Sequence, residues 1–284
     1  RGDAPPVTVT GCGISGGLTE LPGNISSQFV SALLLIAPLA DRESYIWLTS
    51  PLESEPYVAM TLECLSRFGI KVRTSEELME FEIKPQVYQP AVYTVEGDWS
   101  SASYLLTLGA ISGQTRVKNL NPFSLQGDKE MVEILRRSGA AVTVGMDEVQ
   151  VKKKNLKRIQ VNLNECIDLL PTVAVLAALS EGESLLEGIR RARLKESDRV
   201  DAVSQELTKC GIRTVVGEDS MTVEGGKIQP AVLDSHGDHR IAMAFSLLGV
   251  AAGGITIEGA ECVSKTFPEY WSILRSLGVE LNEQ

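Results

Sequence analysis

The chain has 284 residues, of which 43% are apolar and 23% charged, and its formal net charge is −10. That balance is ordinary for a globular protein of one large or two average domains. Few aromatics and no basic domain disfavour nucleic-acid binding, and the apolar runs at 29–40 and 241–252 are too short to span a bilayer. Five scattered cysteines without a CxxC pair point to a reducing compartment and away from a structural metal, so no metal and no cofactor are expected.

In chain order, a strand is expected at Val7–Thr10. Asn24-Ile25-Ser26-Ser27-Gln28 then opens an apolar helix, and Ser54-Glu55-Pro56 opens a second one that ends at Gly69. The segment 84–90, with Pro85 and Pro90, marks a domain boundary and divides the chain into 1–88 and 89–284. From Asp98 the pattern predicts a helix to about Ile111, a strand at Thr115–Asn119 and a helix at Lys129–Ser138. Strands near Val142 and Val149 follow, joined by a turn at Met146-Asp147-Glu148. The basic run 152–158 reads as a solvated loop. The same order returns from Asp168, with a strand at Ser184–Glu187, a helix at Asp198–Cys210 and strands near Val215 and Val223. It begins again at Asp238 and stops at Val279–Leu281.

Seventy positions separate Asp98 from Asp168 and Asp168 from Asp238, and Asn24 lies 74 before Asp98. Glycines at 69, 139, 211 and 278 close the second helix of each unit, where a left-handed cap is wanted. The first helix of each unit is apolar nearly all round, as in Val173-Ala174-Val175-Leu176-Ala177, and must be buried on every side. The second is amphipathic. The fold class is therefore α/β, with buried parallel helices inside and sheets outside. If those helices run parallel, their starts converge, each carrying roughly half a positive charge, and an acidic protein can present an anion site. Asn24, Asp98 and Asp168 are equally readable as plain helix caps.

Five basic residues fall within Arg190–Arg199, a density that needs acidic neighbours or an anionic partner. Three motifs follow in order: Lys-Glu-Ser-Asp-Arg at 195–199, Gly-Asp-His-Arg-Ile-Ala-Met at 237–243 and Ser-Lys-Thr-Phe-Pro-Glu-Tyr at 264–270. Together they resemble the C-terminal half of the 3-phosphoshikimate 1-carboxyvinyltransferase (EPSP synthase) family, and the resemblance covers essentially the whole chain. It implies repeated βαβαββ units in an enolpyruvyl transferase-like, inside-out α/β barrel, with one near-complete domain and part of a second. It implies transfer of the enolpyruvyl group of phosphoenolpyruvate to the 5-hydroxyl of shikimate 3-phosphate, with release of phosphate. Those two small anions are the expected partners, and a cytoplasmic monomer at full length is the expected state, with a plastid location left open.

Carried over by motif, Ser26, Ser27, Gln28, Ser54, Tyr57, Lys195 and, more weakly, Arg191 are expected at shikimate 3-phosphate. Gln28, Arg199, Arg240 and Lys265 are expected at phosphoenolpyruvate. Asp168 corresponds to the base near the 5-hydroxyl and also to a shikimate ligand, and Glu196 corresponds to a second proton-transfer carboxylate, with Lys265 the third catalytic group. Cys262 is expected to be a buried, inert thiol. The family's N-terminal lysine-serine-arginine motif and its glycine-rich loop do not occur in the sequence. An N-terminal part is therefore expected to be missing, and the chain alone is expected to expose its 29–40 helix, bind weakly and turn over poorly. Two other readings are a sister enolpyruvyl transferase acting on UDP-N-acetylglucosamine and a non-catalytic anion-binding piece.

Overall fold

A computed structural model describes residues 8–11 and 13–282 and divides them into two compact units between Thr94 and Val95. Val7 and Cys12 lie outside the described residues, and Thr8–Thr10 carry no regular structure where a strand was expected. The two-proline segment belongs to the first unit. Gln86 N–H donates to the Pro38 carbonyl (2.9 Å), Gln89 N–H donates to Phe68 (2.8 Å), and the Tyr93 ring meets Phe68 at 6.0 Å. These contacts carry the division past Tyr88 to Thr94.

The first unit is one complete repeat: β1 (Gly17–Leu21), α1 (Ser27–Ile36), β2 (Ser44–Leu48), α2 (Glu55–Arg67), β3 (Arg73–Thr74) and β4 (Glu80–Ile83). Its sheet runs β1-β2-β4-β3, with β1 parallel to β2 and the other pairs antiparallel. Alternation along β2 buries Ser44, Ile46 and Leu48 and exposes Tyr45 and Trp47, so one face of the sheet meets the helices. The core gathers Val30, Leu34, Ile46, Val58, Leu65 and Phe81. Only one side of α1 is covered: Phe29 is 56% exposed, and Leu35, Ile36 and Leu39 are exposed too. The rule that each unit's first helix is buried all round fails here, and the apolar stripe expected at 29–40 is present.

The second unit contains α3 (Trp99–Ser112), β5 (Gln114–Lys118), α4 (Met131–Arg137), β6 (Ala141–Val144) and β7 (Glu148–Lys152). Then come β8 (Gln160–Asn162), α5 (Leu170–Ala178), β9 (Glu183–Glu187), α6 (Arg199–Lys209), β10 (Thr214–Val216) and β11 (Ser220–Glu224). The last elements are β12 (Ala231–Asp234), α7 (His239–Ala252), β13 (Ile255–Glu258) and α8 (Tyr270–Ser276). Three sheets form, in the orders β5-β7-β6, β10-β11-β9-β8 and β12-β13. The short strands β8 and β12, absent from the sequence reading of the repeat, pair in parallel with β9 and β13 as β1 does with β2.

Helices α3, α5 and α7 pack on one another in the core, with all nine residues of α5 buried. Asp98 and Asp238 cap α3 and α7 through their side chains, accepting from Ser100 N–H and Arg240 N–H. All four closing glycines are left-handed, with φ between 79° and 92°. Among the described residues no helix is long and apolar enough to cross a membrane.

Gly109 shows how closely α3 lies on its sheet. A Cβ there would come within 2.9 Å of the Thr115 amide nitrogen and of the Val151 carbonyl oxygen. Helix propensity alone favours alanine by about 1 kcal/mol, but forcing backbone apart costs about 1–3 kcal/mol. Gly109→Ala should therefore lower the thermal unfolding midpoint, read by calorimetry; a raised midpoint would contradict the packing described.

Candidate active site

The site grows from the start of α6. Arg199 is its first residue and lies only 1% exposed, so its charge needs partners inside the protein. Three carboxylates supply them. Its Nε donates to Asp238 (2.7 Å), one terminal nitrogen to Asp168 (2.7 Å) and the other to Glu196 (2.6 Å). Asp238 caps α7 and is itself fully buried, also accepting from the Ser197 hydroxyl at 3.2 Å. One guanidinium thus fastens α6 to α7 and to the turn before α5.

Asp168 does not cap a helix. It sits in a 3-10 turn, Asn164–Leu169, and Leu169 takes the cap position of α5. Its carboxylate is left to side chains: Arg240 at 3.1 Å, Lys195 at 3.4 Å and Arg199. Burial opposes its charge, yet Arg240, Lys195 and Arg199 together hold it well below the usual carboxylate range. Lys195 reaches it from an extended link between the 3-10 turn Arg190–Leu194 and α6. Arg240, second in α7, also donates to the Ser100 hydroxyl, second in α3. Since Arg240 joins the starts of α3, α5 and α7, those helices begin at one end of the unit.

Glu196 bridges outward. Its second oxygen meets the exposed Lys265 ammonium at 3.1 Å. Desolvation pushes its pKa up, but Arg199, a backbone N–H and Lys265 prevail and bring it to about 2. Arg191 turns away to the Asn164 carbonyl (2.6 Å) and side chain (3.2 Å). Cys262 is half-buried where a buried thiol was expected, and its partial burial raises the thiol pKa.

In the first unit, Ser26 caps α1 by accepting from Gln28 N–H at 3.3 Å, Ser27 is buried and Gln28 is exposed. Ser54 precedes α2 with a left-handed φ of 55° and makes no capping bond, while Tyr57 lies half-buried one turn on. Ser50 Oγ accepts from Gly23 N–H (3.1 Å) and Asn24 N–H (3.3 Å), which ties the loop before α1 to the loop before α2. The unit's candidate ligands therefore share one end of it.

Three participants were missed from sequence. Asp238 was read only as the start of a repeat, and neither Ser100 nor Asp128 was among the expected site residues. Asp128 is 3% exposed, with one carboxyl oxygen lacking a hydrogen-bond partner. The signal was available in the repeat, because Gln126-Gly127-Asp128 stands where Lys195-Glu196-Ser197 does.

Repeated βαβαββ units around buried helices, with arginines, lysines and carboxylates gathered at the helix starts, define an α/β protein of the enolpyruvyl transferase-like class. The sequence profile of EPSP synthase (3-phosphoshikimate 1-carboxyvinyltransferase) matches residues 1–274, and the chain belongs to that family. Two proteins named 3-phosphoshikimate 1-carboxyvinyltransferase, from two strains of Dehalococcoides mccartyi, are 48% and 50% identical over 93% and 91% of the chain. The chain spans 63% and 62% of their lengths. The EPSP synthase structure from Acinetobacter baumannii superposes with a TM-score of 0.78 at 27% identity, covering all of this chain and 68% of that one.

Asp128 supplies a pH prediction. Burial raises its pKa to about 6, against the pull of Arg240. A carboxyl whose folded pKa lies above its unfolded value favours folding below the unfolded pKa, near 4, and that contribution is lost as pH rises through 6. Asp128→Asn removes the titration. Its unfolding free energy relative to the parent chain should rise by about 2 kcal/mol between pH 4 and pH 7, measured by urea unfolding. A pH-independent difference would contradict the raised value.

Proposed function

We propose that this chain carries the base, the proton-transfer pair and much of the anion clamp of a transferase. That enzyme moves the enolpyruvyl group of phosphoenolpyruvate to the 5-hydroxyl of shikimate 3-phosphate and releases phosphate. The observation that carries the reading is Asp168 held between Arg240 and Lys195, with the Glu196–Lys265 pair joined to it through Arg199.

Addition of the hydroxyl oxygen to the substituted vinyl carbon requires the hydroxyl proton to leave and a proton to reach the methylene carbon. Asp168 accepts the first. As it stands, three cations make it a weak base. Phosphoenolpyruvate drawing on Arg240, and the shikimate phosphate drawing on Lys195, loosen that grip and raise its basicity. The second proton comes from Lys265, because Glu196, with a pKa of about 2, is ionised at neutral pH and holds the ammonium beside it. Loss of phosphate, with return of a proton from the new methyl group, restores the double bond. Arg240 suits the carboxylate or phosphate of phosphoenolpyruvate through its planar fork, and Lys265 suits it as a point charge. Arg199, with all three nitrogens on protein carboxylates, acts on phosphoenolpyruvate by fixing Glu196 and Asp168. Ser26, Ser27, Gln28, Ser54 and Tyr57 are assigned to shikimate 3-phosphate together with Lys195, and Arg191 orders the Asn164 turn before Asp168.

The test is phosphate release from both substrates by the chain extended to its relatives' full length. Asp168→Asn should lower kcat by about 10²–10⁴-fold with little change in KM, since it removes a base and keeps the shape. Arg240→Lys should chiefly raise KM for phosphoenolpyruvate. Unchanged turnover in Asp168→Asn would reject its role as base.

A further inference from the structure

A second polar cluster lies two turns along α6 from the site. Glu206 on α6 is fully buried, yet none of its contacts belongs to the proposed chemistry. Its carboxylate receives the Lys209 ammonium at 2.8 Å, the Asp234 backbone N–H at 3.1 Å and the His236 ring Nε2 at 2.8 Å. A buried carboxylate accepts, so the ring must donate through Nε2. His236 stands in the turn between β12 and α7 with a φ of +52°, a conformation that non-glycine side chains rarely adopt. Its own N–H is tied to the Asp234 carboxylate at 2.7 Å. Such strain persists only where surrounding contacts over-determine it.

We infer that Glu206 and His236 are positioning residues that set the start of α7, and with it Arg240. Arg199 and Glu206 lie seven residues apart on α6, roughly 10 Å along one face of the helix. Arg199 grips Asp238 at 2.7 Å, and Glu206 grips His236, two residues before it, together with Asp234. Ser235 ties the same turn to the end of β13, donating its hydroxyl to the Gly259 carbonyl at 3.1 Å, and the two anchors from α6 fix the turn's direction relative to that helix. Gly237, between the anchored residues, is also left-handed at φ 64°, and without the His236 anchor the turn could swivel there. Asp238, His239 and Arg240 follow immediately, so the aim of the Arg240 fork depends on the outer anchor. The functional half of this inference rests on the reading of Arg240 as an anion ligand; the structural half does not.

His236→Gly separates positioning from plain stability. Glycine relieves the left-handed backbone while removing the ring, so the two effects on stability oppose each other. His236→Gln keeps an N–H donor able to reach Glu206. Amide hydrogen exchange is read at Arg240, whose N–H bonds Asp238, and at Phe245 in the middle of α7. In His236→Gly, protection of the Arg240 amide should fall at least tenfold while Phe245 is unchanged, and His236→Gln should restore it. In the full-length enzyme, His236→Gly should raise KM for phosphoenolpyruvate about five- to tenfold and leave kcat within twofold, again with recovery in His236→Gln. Unaltered exchange at Arg240, or an equal loss at Phe245, would overturn the positioning role whatever the activity shows. A parent enzyme that releases no phosphate from the two substrates would instead reject the proposed function and leave the exchange test intact.

Discussion

A buried guanidinium governs this structure. An arginine removed from water costs several kcal/mol unless its charge and its N–H groups are all answered. Arg199 is answered by Asp238, Asp168 and Glu196, which come from three separate stretches of the second unit. The need to satisfy one cation therefore brings together α6, the start of α7, the turn before α5 and the link that carries Lys195. Once three carboxylates converge, their own charge must be balanced, and Arg240, Lys195 and Lys265 do this at the rim. Rim cations differ from Arg199 in being partly exposed, and they can exchange an internal carboxylate for an external anion. In a chain of net charge −10, this gathers four cations and three carboxylates in one place, and on the proposed reading an anion docks on the rim cations.

The repeat makes the convergence possible. In the second unit a parallel strand pair flanks α5 (β8–β9) and α7 (β12–β13) and returns both helices in the same sense, while α3, followed by the antiparallel strand β5, packs against both. Helices α3, α5 and α7 then present their starts together, and each adds unpaired N–H groups and dipole charge to the site. Two of the three ends are capped by aspartates. The third leaves its aspartate to the side chains of Arg240, Lys195 and Arg199, because a 3-10 turn moves the cap position on to Leu169.

Much of this was legible in the sequence. The seventy-residue spacing, the closing glycines and the all-apolar helices reflect constraints local to each unit, and they appear where expected. Lys195, Glu196, Arg199, Arg240, Lys265 and Asp168 do meet. The short strand β8 was invisible because Gln160-Val161-Asn162 offers a single apolar residue, and β12 because Ala231-Val232-Leu233 is a short apolar run without alternation. The 3-10 turn at Asp168 was hidden by an aspartate three residues ahead of Pro171, which reads as a cap. The pairing of Arg199 with Asp238 crosses 39 residues, and no spacing rule reports it. The exposed stripe on α1 follows from how little of the first unit surrounds that helix, a property of packing and not of its composition.

The charge arrangement also orders events. Arg240 and Lys195 both depress Asp168, and on the proposed reading they serve different substrates. Engaging either one relieves part of the depression, and Arg199 keeps the remainder. The carboxylate then becomes an adequate base only when both anions are in place, so proton removal is tied to the assembled pair of substrates. The same logic protects Glu196: Arg199 holds one oxygen whatever is bound, so it stays ionised while Lys265 delivers its proton and afterwards recovers one. On the proposed reading, a buried arginine paired wholly with protein carboxylates thus sets which carboxylate gains basicity on binding and which does not.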